Sequence, residues 1–209
     1  MARAYDNSAR TEAARETRAR ILAAARTLIL EKGYAAASVT AIADAAGVSP
    51  QTLYNAVGNK AAVLKACYDV TLAGDDEPVP MGSRPEVAAL ATAPTASDWV
   101  RAYARWSRVF AERVGELLEA VIAPGTPTDA GVADFVATIE RERRIGSMHA
   151  VAAFRDRFGL PDGLTEQRAV DVVWTLNSPE VHGRLVHRCG WTHDQYEDWL
   201  AGQLAASLT

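Results

Sequence analysis

Apolar residues recur along most of this chain at intervals of three and four, the period of an amphipathic helix. Ile21, Leu22, Ala25, Leu28 and Ile29 make one stripe, which the polar turn Glu31-Lys32-Gly33 brings to an end. Val39, Ile42, Ala43 and Ala46 repeat the pattern over two turns, with Ser38 as its N-cap and Gly47 as its stop. Ser49-Pro50 then reopens a helix, because a serine oxygen caps orphan amides and proline suits a first turn that needs no amide partner. Within it Leu53 and Val57 point inward, Val48 fills the corner between the two short helices, and Gln51, Thr52, Tyr54 and Asn55 are left outside. Asn59 caps a fourth helix that lines up Val63, Leu64, Cys67, Tyr68 and Thr71.

Between residues 73 and 85, Gly74-Asp-Asp-Glu-Pro-Val-Pro and Gly82-Ser-Arg-Pro85 interrupt the periodicity and mark a boundary. Pro94-Thr-Ala-Ser97 opens a long helix striped by Trp99, Tyr103, Trp106, Phe110, Val114, Leu117 and Val121. Pro124-Gly-Thr-Pro127 breaks it, and a second long helix is expected from about Thr128 to Phe158, followed by the loop Gly159–Gly163. Three shorter helices should close the chain, over Thr165–Leu176, Ser178–Cys189 and Thr192–Leu208, each with a capping residue at its start. The whole pattern predicts an all-α protein. Its expected parts are a flexible tail over 1–14, a three-helix helix-turn-helix domain over 15–60, a connecting helix over 61–76 and a larger helical domain over 77–209.

The corner from Ser38 to Asn55 is a helix-turn-helix, and its second helix presents amides and hydroxyls of the kind that read base edges and phosphates in a major groove. Charge agrees with this orientation. The net charge of −4 speaks against indiscriminate coating of nucleic acid, yet residues 1–65 hold nine Lys or Arg against five acids. A basic end on an acidic body suits the phosphate-neutralising part of DNA affinity. The arginines at 3, 10 and 15 would lie in the expected tail, as a solvated segment or a minor-groove arm. With no hydrophobic leader and no long apolar run, a cytoplasmic protein with no membrane partner is expected.

Several spaced blocks together are similar to the N-terminal domain of tetracycline-repressor (TetR) family regulators. They are Arg20-Ile-Leu-Ala-Ala-Ala through Glu31-Lys-Gly-Tyr34, Ser38-Val-Thr-Ala-Ile-Ala, Ala46-Gly-Val-Ser, Thr52-Leu-Tyr54 and Asn59-Lys60, covering about residues 15–72. The run from Trp174 through Ser178-Pro-Glu-Val, Gly190-Trp191 and Trp199 resembles the ligand-binding domains of one branch of that family. The resemblance implies a homodimeric, all-helical, ligand-responsive transcription factor, usually a repressor, acting on a palindromic operator in double-stranded DNA. On the matching positions it implies DNA contacts by Pro50, Gln51, Thr52, Tyr54 and Lys60, with Thr40 as a phosphate contact; Asn55 joins them on the same outer face. Two positions depart from the family pattern. Ala56 stands where an aromatic or histidine is common, and Val57 where phenylalanine is common.

Aromatic-rich helices can enclose a mostly apolar small-molecule site, and Trp99, Tyr103, Trp106, Phe110, Phe135, Met148 and His149 are the candidate ligand contacts. The last three helices carry more apolar surface than they can hide from one another, so Val181, Leu185, Tyr196, Trp199, Leu200 and Leu204 are candidates for a dimer interface. No catalytic constellation, cofactor motif or metal site is expected. His182, His187, Cys189 and His193 do not share a helical face, and Cys67 and Cys189 are expected to be buried thiols. Two other readings stay open: a helical dimeric interaction protein without operator binding, and a small helical enzyme.

Overall fold

The computed structural model describes residues 2–122 and 130–209, with side chains from residue 8 onward. The expected break at Pro124–Pro127 and the expected start of a helix at Thr128 lie outside the described residues. All regular elements among the described residues are helical. They are α1 (Ala2–Ala36), α2 (Val39–Ala46), α3 (Pro50–Ala56), α4 (Lys60–Ala73), α5 (Pro85–Thr92), α6 (Ala96–Ile122), α7 (Ala130–Phe158), α8 (Glu166–Leu176), α9 (Pro179–Gly183) and α10 (His193–Leu208).

The chain forms two compact units. The first comprises Met1–Asp76 with Glu116–Val136, and the second Glu77–Gly115 with Ala137–Thr209, so that α6 and α7 each contribute to both. In the first unit α1 packs on α2, α3 and α4. Ile21, Leu22, Ala25 and Ile29 of α1 are buried with Ile42 and Ala43 of α2, Leu53 of α3 and Val63, Leu64, Cys67 and Tyr68 of α4. This unit also pairs Tyr68 edge-on with Phe135 of α7, ring centroids 5.5 Å apart, and Arg26 with Glu116 of α6 at 3.7 Å. The expected glycine stop after Lys32 is a break in helical geometry at Gly33 (φ 78°), beyond which Tyr34–Ala36 resume a short turn.

The second unit is built around Trp99, Val100 and Tyr103 of α6, Val151 and Phe154 of α7, Val170 and Val173 of α8, and Tyr196, Leu200, Leu204 and Leu208 of α10. Its helices start where capping chemistry predicts. Thr165 accepts from the Arg168 amide, Ser178 from Val181, and Thr192 and Gln195 form a reciprocal capping box. Thr95 caps α6 through the Asp98 amide.

Several expectations are corrected. Residues 2–14, expected as a flexible tail, are helical and continue α1; alanine, arginine and glutamate favour helix, and the side chains from Ser8 to Glu16 are exposed. Helix α5 lies inside the segment expected as irregular: Pro85 sits at its first turn, where proline starts a helix, and Leu90 anchors it in the core. The helix expected over Ser178–Cys189 is α9 followed by a π-helical turn over Arg184–Arg188, closed by the Cys189 amide donating to the Arg184 carbonyl at 3.0 Å. Cys67 is buried as expected, its thiol pushed up to about 12 by desolvation, but Cys189 is exposed.

This turn brings together histidines that are scattered in sequence. His182 Nε2 lies 3.3 Å from His193 Nδ1, with the rings 16° from parallel and their centroids 5.4 Å apart, so the two nitrogens meet almost head-on. One nitrogen must carry a proton and the other must not. Tyr196 and His187 meet His182 edge-on, and Glu112 Oε1 lies 3.6 Å from His193 Nδ1. Burial, then the neighbouring His193 and His187, push the His182 pKa down to about 4. Unfolded histidine binds its proton below about 6.5, whereas folded His182 stays neutral until about 4, so its contribution to stability is complete above that window and is lost as pH falls through it. We expect urea unfolding to lose on the order of 3 kcal/mol between pH 6.5 and pH 4 from this group. The loss should be clearly smaller in His182→Gln; equal pH slopes for the two proteins would contradict the assignment.

Candidate nucleic-acid interface

The corner between α2 and α3 is set by backbone bonding. Gly47 adopts φ 65°, its amide donates to the Ala43 and Asp44 carbonyls, and the Val48 amide donates to Ala43 at 3.0 Å. That double bond closes α2 and redirects the chain. Ser38 and Ser49 cap the two helices, accepting from the Ala41 and Thr52 amides at 3.1 and 3.0 Å. With Leu53 fully buried, helical geometry turns the opposite face of α3 outward.

Every expected reader on α3 lies on that face. Pro50, Gln51, Thr52, Tyr54 and Asn55 are exposed, Tyr54 to 50%, and Thr40 is exposed near the start of α2. Three of these side chains are already engaged: Gln51 Nε2 donates to Asn55 Oδ1 at 3.0 Å, and the Ser49 and Thr52 hydroxyls lie 2.9 Å apart. Lys60 differs from the others. Its ammonium donates to the Ala35 carbonyl at 3.2 Å and sits 4.1 Å from the centre of the Tyr34 ring, fastening the start of α4 to the end of α1. Ala56 and Val57 are half-buried, so position 56 adds no polar tip to the surface.

The basic end is smaller than the charge count suggests. Arg18 pairs with Asp76 at 2.8 Å and Lys65 with Asp69 at 2.7 Å, whereas Arg10, Arg15 and Arg20 are exposed along α1.

Residues 21–67 match the family model of bacterial regulatory proteins, tetR family. The segment from α1 to α4 thus resembles the DNA-binding domain of that family. It is 26% identical over 178 residues, 85% of its own length and 80% of the relative's, to the uncharacterized HTH-type transcriptional regulator YdeS of Bacillus subtilis (strain 168). Its fold matches NalD, the secondary repressor of the MexAB-OprM multidrug efflux pump in Pseudomonas aeruginosa, with a TM-score of 0.67, 18% identity and coverage of 95% and 98% of the two chains. It also matches the fatty acid degradation regulator FadR from Bacillus halodurans, with a TM-score of 0.63, 15% identity and coverage of 91% and 98%. Among the described residues the chain is all-α, with an N-terminal helix-turn-helix, and the relatives it matches are regulators. No described helix is long and apolar enough to cross a membrane. Among the described residues no three His, Cys, Asp or Glu side chains converge on a metal position.

The other candidate residues are distributed differently from expectation. Trp99 and Tyr103 stack at 5.1 Å inside the second unit and Trp106 and Phe110 continue the row, half-buried, whereas Phe135 pairs with Tyr68 in the first. Met148 is 50% exposed and His149 is exposed, outside the buried row of Ser147, Val151 and Phe154 on α7. Tyr196, Leu200 and Leu204 are at most 1% exposed inside their own unit and have nothing left to offer a partner; Val181, Leu185 and Trp199 are half-buried. A groove of about 520 Å³ between α6 and α10 is lined by Arg105, Arg108, Glu112, Asp194 and Glu197, and is charged, not apolar. Arg108 bridges Glu112, Asp194 and Glu197 there.

Ser49→Ala should lower the stability of the N-terminal unit by about 1 kcal/mol through the lost cap. Lys60→Met should cost a similar amount, about 1 kcal/mol, because a carbonyl bond and a ring contact go together. Thermal unfolding tests both, and an unchanged midpoint in Lys60→Met would show that the ammonium has no structural duty.

Proposed function

We propose that this regulator binds a palindromic operator as a homodimer, through α3 in the major groove, and leaves it when a small molecule occupies the second unit. The observation that carries the reading is the outward face of α3: Gln51, Thr52, Tyr54 and Asn55 are presented together, solvent-exposed, on a helix whose start is fixed by the Ser49 cap. Base edges in the major groove take amide and hydroxyl partners of this kind, and the N-terminal residues of a recognition helix reach them first. Thr40 and the exposed arginines of α1 supply contacts to phosphate. NalD is a repressor and FadR a regulator of fatty acid degradation; their folds make the same mode of action a reasonable proposal for this chain.

Release requires that the ligand bind one conformation better than another. Helix α7 supplies a route, since it carries Phe135 against Tyr68 of α4 and continues into the second unit. A dimer is needed to place two recognition helices about one turn of DNA apart. Half-buried Val181, Leu185 and Trp199, with Ile145 and Met148 standing 45% and 50% exposed one turn apart on α7, are the apolar surface in the second unit that a partner copy would cover.

Gel shifts with the intergenic DNA beside its own gene test the reading. The protein should give a sequence-selective shift that weakens as salt rises. Gln51→Ala with Tyr54→Ala should reduce affinity at least tenfold, on the order of 1–3 kcal/mol, without changing thermal stability. A shift of equal strength on unrelated DNA would favour the interaction-protein alternative instead. Ile145→Glu with Met148→Glu should convert a dimer to monomer in sedimentation velocity, and a dimer that survives both changes would remove α7 from the interface.

A further inference from the structure

The outward face of α3 offers a narrow set of chemical groups. Its seven residues include no arginine or lysine, the side chains that pair with guanine through two donors, and no aspartate or glutamate, which accept from cytosine. The neighbouring ammonium is engaged elsewhere: Lys60 is half-buried and holds the Ala35 carbonyl and the Tyr34 ring. Of the four exposed polar side chains, Thr52 and Tyr54 end in hydroxyls, which both donate and accept and so discriminate little between bases. The Thr52 hydroxyl lies 2.9 Å from that of Ser49, whose oxygen also caps the helix. Base identity is therefore left to the amides of Gln51 and Asn55.

An amide holds an acceptor oxygen beside a donor nitrogen, and adenine presents the complement in the major groove, an N6 donor next to the N7 acceptor. Guanine presents two acceptors there, O6 and N7, so an amide oxygen facing O6 is left without a donor. The two amides also have a set spacing. Four residues apart on one helix they share a face, and Gln51 Nε2 lies 3.0 Å from Asn55 Oδ1. That separation is close to the roughly 3.4 Å rise between stacked base pairs. Amide tips that start this close can each take one of two neighbouring pairs once the bond between them opens.

We propose that Gln51 and Asn55 each read an adenine, on two neighbouring A·T pairs in every operator half-site, and that α3 selects against G·C at both. This rests on the reading of α3 as the DNA-contacting helix and adds which bases that helix takes. On docking, the Gln51–Asn55 bond opens, and each amide gives an N–H to adenine N7 and accepts an N6 hydrogen on its oxygen.

Selection of random DNA duplexes by the full chain, with the bound fraction sequenced, tests the assignment. Each half-site of the enriched duplexes should hold two adjacent A·T pairs, and replacing either by G·C should weaken binding roughly tenfold. Gln51→Ala should relax the base preference at one of these pairs and Asn55→Ala at the other, with the melting temperature nearly unchanged because both side chains are exposed. Gln51→Arg should turn its position to guanine, which an arginine fork pairs with. An operator carrying 7-deazaadenine keeps its Watson–Crick pairing but lacks the N7 acceptor. It should bind the unaltered protein roughly tenfold more weakly, and the loss should vanish in the variant that lacks the matching amide. Enriched sites with G·C at either position, or a motif that neither alanine variant alters, would overturn the amide reading and leave the regulator standing. Duplexes retained with no enriched sequence would overturn both.

Discussion

The recognition surface depends on a single backbone constraint, the left-handed turn at Gly47. A side chain at φ 65° would cost roughly 1 kcal/mol or more in backbone strain even though nothing lies within 4 Å of where its Cβ would be, so the demand for glycine is conformational and not steric. Only with that turn do the Gly47 and Val48 amides close α2, and only then does Ser49 stand where its hydroxyl can cap α3. Leu53 is buried and Tyr54 exposed as a consequence of where α3 begins. A start one residue later would rotate its faces by about 100° and turn the polar tips away from DNA.

The other end of the reading domain is held by Lys60. Its ammonium closes on the Ala35 carbonyl and the Tyr34 ring, in the last turn of α1 just beyond the break at Gly33. Helix α4 is thereby tied to α1 at its start, while its buried Tyr68 meets Phe135 of α7 further along. A lysine that looks like a phosphate contact in sequence is thus also a clasp. Were a phosphate to take the ammonium, the proposed contact would compete with the clasp, and the α1–α4 join would change with it. That gives α4 two connections whose strengths are set by different parts of the chain, which is the property a displaceable linker helix requires.

Much of the N-terminal domain was legible because local chemistry decides it. Ser38, Ser49 and Asn59 are caps in sequence and in structure, Gly33 and Gly47 are stops, and the spacing of Ile21, Leu22, Ala25 and Ile29 names the buried face of α1. The second unit was read less well because its decisions are tertiary. Pro85 was expected to interrupt, yet proline at a first turn opens α5. Tyr196, Leu200 and Leu204 looked like surplus apolar surface, but α8 and α10 pack together and α6 and α7 complete the cover. Met148 and His149 keep a helical period but fall outside the buried row of α7, since periodicity gives the width of a stripe and not which neighbour it faces. The hydrogen bonds that link Tyr103, Asn177, Arg143 and Ser147 had no signature at all: these residues come from three helices and are joined only by folding.

The shortness of α3 bears on how the protein would discriminate among sequences. Seven residues give about two turns, so in the proposed complex base reading would fall to Gln51, Thr52, Tyr54 and Asn55, with no polar side chain at position 56 to extend it. Gln51 and Asn55 are already bonded to each other, and docking must exchange that bond for bonds to base edges. The exchange is close to neutral for a matching base, since one hydrogen bond replaces another. For a mismatched base it leaves a desolvated amide unpaired, at about 1–3 kcal/mol. Specificity on such a helix would therefore come more from penalising wrong sequences than from rewarding the right one, with affinity drawn from the proposed phosphate contacts of Thr40 and the exposed arginines of α1. The proposed dimer would double both terms, and a reader this small would gain correspondingly from a palindromic site.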